Sequence, residues 1–208
     1  MPSAVVTVWF DYACPHSYIG MRRLEELAST LDLEIDRRPF LVRSESSNEN
    51  QIRYGRIQRD RKNVGFSEVR RQPLYQPGES IGIEPASNRS LSTLPVHAAT
   101  ACAKERGLDG PFFQAASKEY WERGVHLGSL YTLRRITISV GLDWKEMWPK
   151  LESGRYHNLV LAQHDEAKMA GVVQTPTFRI GGDQCDGPLY SGAMSAEELG
   201  AAVAAAVI

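Results

Sequence analysis

The sequence predicts an α/β fold in which a strand-containing domain is interrupted by a helical subdomain. Three observations lead to this prediction. The chain begins as strand, helix, strand; its long middle part has helical patterns separated by Gly and Pro breaks; and strand character returns before an Ala-rich final helix. We therefore expect a discontinuous sheet domain, residues 1–43 and 156–208, around an inserted helical subdomain, residues 44–155.

Apolar periodicity and the residues that interrupt it define the individual elements. Residues 4–10 form an apolar strand, 18–31 a helix and 33–42 a second strand, which should lie parallel to the first. After a polar boundary at 43–50, helices are predicted at 49–63, 94–106, 111–123, 130–140, 144–153 and 156–170. Strands at 177–180 and 188–191 precede the last helix, which begins at Ala196 after a capping box formed by Ser195 and Glu198.

Charge and composition make several classes of partner unexpected. Lys and Arg number 24 and Asp and Glu 25, so the net charge of −1 provides no general attraction to nucleic acid or to an anionic membrane. The apolar stretches are too short to span a bilayer. The first residues lack the basic region and long apolar core of a secretory signal, so we expect a cytoplasmic protein.

The three cysteines favour chemistry over scaffolding. A reducing compartment disfavours disulfides, and the spacing of Cys14, Cys102 and Cys185 suits no zinc site, so neither a metal nor a tightly bound cofactor is expected. Cys102 lies in an Ala-rich helical segment and is predicted to be a core residue. Cys185 lies in a predicted hairpin loop, where it is either incidental or a second redox site.

Cys14-Pro15-His16-Ser17 is the strongest candidate site. It follows the apolar strand and precedes a helix, and at a helix N-terminus the unpaired N–H groups and the dipole favour a thiolate over a thiol. His16 adds positive charge when it is protonated. Ser17 occupies the position of the second cysteine in a Cys-x-x-Cys oxidoreductase, so the expected chemistry is that of a single thiol.

A second segment, residues 173–180, should converge on this thiol. Pro176 opens the predicted strand 177–180, and a cis bond before it would turn the Thr175 backbone outward. The N–H and C=O of Thr175 could then pair with an extended thiol-bearing peptide such as glutathione. Thr175 is therefore predicted to be a docking edge for substrate.

Residues 10–20, Phe-Asp-Tyr-Ala-Cys-Pro-His-Ser-Tyr-Ile-Gly, resemble the active-site segment of DsbA-family proteins of the FrnE and 2-hydroxychromene-2-carboxylate isomerase type. Residues 88–90 with 97–99, and 168–178, resemble two further segments of that family. The resemblance implies a DsbA-like thioredoxin fold with a helical insertion, and Cys14 as nucleophile.

Departures from the family pattern leave the activity open between its branches. FrnE-type oxidoreductases carry Cys-Pro-Trp-Cys, whereas the isomerase and kappa-class glutathione transferase branch carries Ser-Pro-Tyr-Ser. Cys14 is similar to the first branch, Ser17 to the second, and His16 to the middle residue of the Cys-Pro-His-Cys of DsbA. The Asp-Arg pair by which the transferase branch binds glutathione has no counterpart at 191–194, so Ser191 and the N–H groups that open the last helix, with Gly192, are the predicted carboxylate anchors.

We rank three hypotheses on these observations. The first is a thiol–disulfide oxidoreductase in which Cys14 attacks a small thiol- or disulfide-bearing substrate, Ser17 donates a hydrogen bond to the thiolate, and an external thiol such as glutathione resolves the mixed disulfide. The second is a glutathione-dependent isomerase or transferase acting on a small aromatic or polyketide-like compound. The third is a non-enzymatic binding module. The oligomeric state is left open, a homodimer included.

Overall fold

A computed structural model describes residues 4–42, 76–77, 79–81, 92–181 and 187–206 of the chain. In chain order the elements are β1 (Ala4–Phe10), α1 (Pro15–Thr30), β2 (Leu33–Pro39), α2 (Leu94–Lys104), α3 (Asp109–Trp121), α4 (Leu130–Ser139), α5 (Trp144–Glu152), α6 (Arg155–Met169), β3 (Thr177–Gly181), β4 (Leu189–Ser191) and α7 (Ala196–Ala206). This order confirms the predicted α/β class. The predicted helix at 49–63 lies outside the described residues.

The strands form one sheet in the order β2-β1-β3-β4. β1 pairs with β2 in parallel, as predicted, and with β3 in antiparallel fashion; β4 adds to β3 antiparallel. β1 is apolar on both faces because it lies in the middle of the sheet, with helices packed around it. Its register with β3 sets Trp9 opposite Thr177, so the turn after β1 lies beside the residues that precede β3.

Two element boundaries differ from the prediction for identifiable reasons. α1 begins at Pro15 rather than at residue 18, because a proline is well accommodated in the first turn of a helix, where its missing N–H would have no helical partner. β2 ends at Pro39 rather than at residue 42. Beyond it the N–H groups of Leu41 and Val42 donate to side chains, at 3.2 and 2.7 Å, instead of to a neighbouring strand.

The hydrophobic core runs without interruption from the sheet into the helices. One cluster of buried side chains includes Val6 and Val8 of β1, Phe112 of α3 and Leu133 of α4. α6 packs against α2, α5 and β2. The predicted division at 43/44 and 155/156 stays a prediction, and in the described residues the two parts share one core.

The beginning of α7 has the predicted capping box. Ser195 N–H donates to Glu198 Oε2 at 2.7 Å, and Glu198 N–H donates to Ser195 Oγ at 3.1 Å. None of the helices in the described ranges has the length and apolar character needed to cross a membrane.

Candidate functional site

Cys14 is the N-cap residue of α1, at the end of the turn that follows β1. Its backbone is extended, its N–H donates to Asp11 O at 3.0 Å, and its C=O accepts from Tyr18 N–H at 3.2 Å. The side chain makes no capping hydrogen bond, and the residue is half-buried. The sulfur therefore stands at the N-terminus of the helix, as the sequence predicts.

The two predicted segments meet at this sulfur. Cys14 Sγ donates to Thr175 O at 3.4 Å, a contact between residues 161 positions apart. The Thr175–Pro176 peptide bond is cis, and Thr175 is 8% exposed. A thiol and a backbone carbonyl that could pair with an extended peptide thus lie side by side.

Close packing holds Pro176 against the helix that carries Cys14. A Cβ on Gly20 would lie 3.1 Å from both Pro176 Cγ and Phe178 Cζ, so the absence of a side chain at Gly20 lets α1 approach this closely. Pro176 O accepts from Gly192 N–H at 2.8 Å. The position of Pro176 is therefore fixed from α1 on one side and from the chain after β4 on the other.

The other residues of the Cys14 motif occupy different environments. Pro15 is in the first turn of α1, and His16 is exposed there. Ser17 is buried, and its Oγ accepts from Asp11 N–H at 3.3 Å. A hydroxyl that accepts one hydrogen bond keeps its own proton, so the predicted donation from Ser17 to the Cys14 thiolate stays a prediction.

The predicted carboxylate anchors are engaged within the protein. Ser191 Oγ shares a hydrogen bond of 3.0 Å with Thr177 Oγ1, and Gly192 N–H donates to Pro176 O. Among the N–H groups at the start of α7, that of Glu198 donates to Ser195 Oγ in the capping box, and the Glu198 carboxylate adds negative charge there. Binding of a glutathione carboxylate by Ser191 and Gly192 would require their hydrogen bonds to Thr177 and Pro176 to be replaced by hydrogen bonds to the carboxylate, and such binding stays a prediction.

The family of the chain follows from comparison with known proteins. The DSBA-like thioredoxin domain matches residues 5–204, almost the whole chain. The chain belongs to the DSBA-like thioredoxin domain family. The uncharacterized protein YwbO of Bacillus subtilis (strain 168) is 25% identical to it over 185 residues, which cover 85% of this chain and 86% of YwbO.

Solved structures share the DSBA-like fold. A probable DsbA oxidoreductase from Streptomyces coelicolor superposes with a TM-score of 0.67 at 23% identity, covering 98% of this chain and 89% of that one. The cytosolic disulfide reductase DsbM from Pseudomonas aeruginosa, in a structure with GSH, gives a TM-score of 0.58 at 14% identity, with 85% and 87% covered. These likenesses confirm the predicted thioredoxin fold.

Sequence reasoning did not identify Arg23, which links α1 to the chain after β4. Arg23 is 5% exposed; its Nε and NH2 donate to Glu79 at 2.8 and 2.6 Å, and its NH1 donates to Ala193 O and Met194 O at 3.2 and 2.8 Å. The hydrogen bonds from Arg23 hold the pKa of Glu79 below its ordinary value. A lone arginine among the apolar positions of α1 was the available signal.

Asp11 is the second residue that sequence reasoning did not identify. It is 2% exposed and directly follows β1. Its Oδ1 accepts from Ala13 N–H at 3.1 Å and its Oδ2 from Val42 N–H at 2.7 Å. An aspartate at the end of an apolar strand, three residues before the cysteine, was the signal.

The described residues offer no grouped metal ligands. Nowhere in them do three or more His, Cys, Asp or Glu side chains come together as a metal site would require. A cavity of about 260 Å³ opens between β2, α2 and α6, and Phe10, His97 and Lys104 are among its lining residues. Cys14, Thr175 and Pro176 do not line it, so the thiol site is a separate surface.

The two remaining cysteines are Cys102 and Cys185. Cys102 is 6% exposed in α2, which confirms it as a core residue, and burial raises the pKa of its thiol above the ordinary cysteine value. Cys185 lies outside the described residues, and its role stays open.

Proposed function

We propose that this DSBA-like protein is a thiol–disulfide oxidoreductase in which Cys14 is the only reacting cysteine. The contact between Cys14 Sγ and Thr175 O, 3.4 Å long, carries the proposal. It places the thiol of a helix N-terminus beside a backbone edge on which a substrate could dock. Ser17 in the position of a second cysteine leaves no partner within the motif to resolve a mixed disulfide.

The first step is attack of the Cys14 thiolate on a mixed disulfide of glutathione and a substrate thiol. A bond forms between Cys14 Sγ and the glutathione sulfur, the original disulfide bond breaks, and the substrate leaves as a thiolate. Once Cys14 has lost its proton, Thr175 O has lost a donor. It can then accept a hydrogen bond from a backbone N–H of the bound peptide.

The second step needs an external thiol. A glutathione thiolate attacks the glutathione sulfur bound to Cys14, which releases glutathione disulfide and regenerates the Cys14 thiolate. Overall, the mixed disulfide is reduced and two glutathione units leave as the disulfide. The cytoplasm, where reduced glutathione is abundant, suits this chemistry, and we propose that location for the protein.

Three forms of the protein test this function. With a glutathionylated peptide and reduced glutathione, we expect the wild type to release peptide thiol and the Cys14→Ser variant to be at least about 100-fold slower. With glutathione disulfide supplied as the oxidant, Ser17→Cys should gain the ability to oxidise a dithiol peptide, because the introduced cysteine can form with Cys14 a disulfide that the peptide then reduces. Unchanged turnover in Cys14→Ser, or a folded Ser17→Cys variant without added dithiol activity, would contradict the proposal.

The glutathione-dependent isomerase or transferase remains the alternative, because Ser17 matches that branch of the resemblance. In that case Cys14 would hold or activate the glutathione sulfur without exchanging a disulfide. Glutathione-dependent turnover of a chromene-carboxylate-like or electrophilic compound, together with no reduction of the glutathionylated peptide, would favour this alternative. We also propose the FrnE and isomerase type as the place of this chain within its family.

A further inference from the structure

Asp11 connects three parts of the chain beneath the Cys14 turn. Its backbone O accepts from Cys14 N–H at 3.0 Å, and its backbone N–H donates to Ser17 Oγ at 3.3 Å. Its carboxylate accepts from the N–H groups of Ala13 and Val42. The turn, the first part of α1 and the segment after β2 are therefore all held by one residue.

The surroundings of the Asp11 carboxyl favour its ionised form although the side chain is almost completely buried. Burial alone would raise the pKa of Asp11, but its interaction with His97 and the hydrogen bonds from Ala13 and Val42 outweigh that effect, and the pKa lies below its ordinary value. An ionised carboxylate inside a protein costs several kcal/mol unless a partner offsets its charge. Asp11 therefore depends on its neighbours to stay charged.

His97 of α2 supplies the partner. Its Nε2 is 3.8 Å from Asp11 Oδ1, and both side chains are 2% exposed. The ring lies 4.9 Å from the ring of Phe10 and 5.0 Å from that of Tyr12, which fixes its orientation. Within the described part of the chain Nε2 has no hydrogen-bond partner, and its 3.8 Å contact with Asp11 Oδ1 is longer than a hydrogen bond.

We propose that His97 is a positioning residue that acts through Asp11 on the reactivity of Cys14. By facing the buried carboxylate of Asp11 with a ring nitrogen, His97 favours its ionised form and keeps it bound to the turn beneath Cys14. The inference rests on the proposed role of Cys14 as the reacting thiol. It adds a residue from the inserted helices to the control of that thiol.

Other titratable and charged groups surround Asp11 and His97, and their effects on Cys14 must be distinguished from the effect of this pair. His164 of α6 is the second buried histidine here; its Nδ1 accepts from Leu41 N–H at 3.2 Å, and burial lowers its pKa. Burial raises the pKa of Tyr12. The titratable groups that act on Tyr12 are Arg37, Asp109 and Glu25, and those that act on His164 are Lys168, Asp165, Asp11 and His97.

The test compares two His97 variants with a matched His164 variant. His97→Phe keeps a ring against Phe10 and Tyr12 but removes the nitrogen that faces Asp11, and His97→Gln keeps an N–H donor without a titratable ring. His164→Asn keeps an acceptor for Leu41 N–H and removes the other buried imidazole. All are made with Cys102→Ala and Cys185→Ala so that only Cys14 can be alkylated.

The measurement is the rate of iodoacetamide alkylation from about pH 4 to about pH 9, followed by intact mass, with near-ultraviolet circular dichroism as a check of folding. In His97→Phe the unpaired Asp11 should bind a proton in the acid range, which adds a second inflection to the profile. The rate near neutral pH should differ from wild type by at least about threefold. Adding Asp11→Asn to His97→Phe should remove that inflection. The pH profile of His97→Gln should lie between those of the wild type and His97→Phe, and the profile of His164→Asn should match that of the wild type.

Two results would overturn the inference: a folded His97→Phe or His97→Gln variant with the wild-type profile, or the same change in His164→Asn. If neither His97 variant folds, the deciding measurement is the pKa of Asp11 in the wild-type protein, obtained from the pH dependence of its carboxyl NMR resonance. A pKa of Asp11 at or above the ordinary value would then overturn it. Alkylation requires only a thiol, so the inference can hold even where disulfide turnover fails.

Discussion

Cys14 and Cys102 are the same residue type on neighbouring parts of one fold, and they differ in almost every physical respect. Cys14 is half-buried at the first residue before α1, with Thr175 O at 3.4 Å. Cys102 is inside α2, 6% exposed, and burial raises the pKa of its thiol. The position of a cysteine relative to a helix end, more than its chemistry, decides whether its thiol can meet a substrate.

Selective alkylation is the strongest test of this difference. In the native protein with Cys185→Ala, we expect iodoacetamide to modify Cys14 at least about 100-fold faster than Cys102, because Cys102 becomes accessible only when the core opens. Peptide mapping by mass spectrometry measures both rates. In urea the two rates should converge. Equal rates in the native protein would show that Cys102 is not protected by the core.

The sequence was informative where the decisive interactions are local. Cys14 could be assigned to the N-terminus of a helix from the apolar strand before it and the helical segment after it, and Cys102 to the core from its Ala-rich surroundings. The parallel pairing of β1 with β2 was predicted in the same way from the strand-helix-strand order, whereas the antiparallel pairing of β1 with β3 was not predicted.

Residues whose partners are distant in sequence were not identifiable in this way. Arg23 reaches the carbonyl group of Ala193 across 170 positions, and no periodicity or motif predicts such a contact. The pairing of Asp11 with His97 likewise depends on how α2 packs against the end of β1. Such contacts are consequences of tertiary packing, and only the structure gives them.

The glycine beneath the Cys14 site offers a second test, with a matched control elsewhere. Gly20→Ala should cost about 1–3 kcal/mol through overpacking, since its Cβ would lie 3.1 Å from Pro176 and Phe178. Gly200→Ala in α7, where a Cβ meets nothing within 4 Å, should instead gain about 0.5–1 kcal/mol from helix propensity.

Urea unfolding of both variants gives the two free energies of unfolding, and the glutathionylated-peptide assay gives the effect on Cys14. We expect lower turnover in Gly20→Ala, because displacement of Pro176 moves the neighbouring Thr175 carbonyl, and unchanged turnover in Gly200→Ala. A Gly20→Ala variant as stable as Gly200→Ala would mean that the junction between α1 and Pro176 has room to adjust.

The smallest expected effect is that of Cys102→Ala, which removes a sulfur atom from the packed interior of α2. The loss should be about 1 kcal/mol of unfolding free energy, the scale of a small cavity in a core. Turnover of the glutathionylated peptide should stay at the wild-type level, since Cys102 is buried in the core. A folded Cys102→Ala variant with reduced turnover would place Cys102 in the chemistry, and the contrast between the two cysteines would then fail.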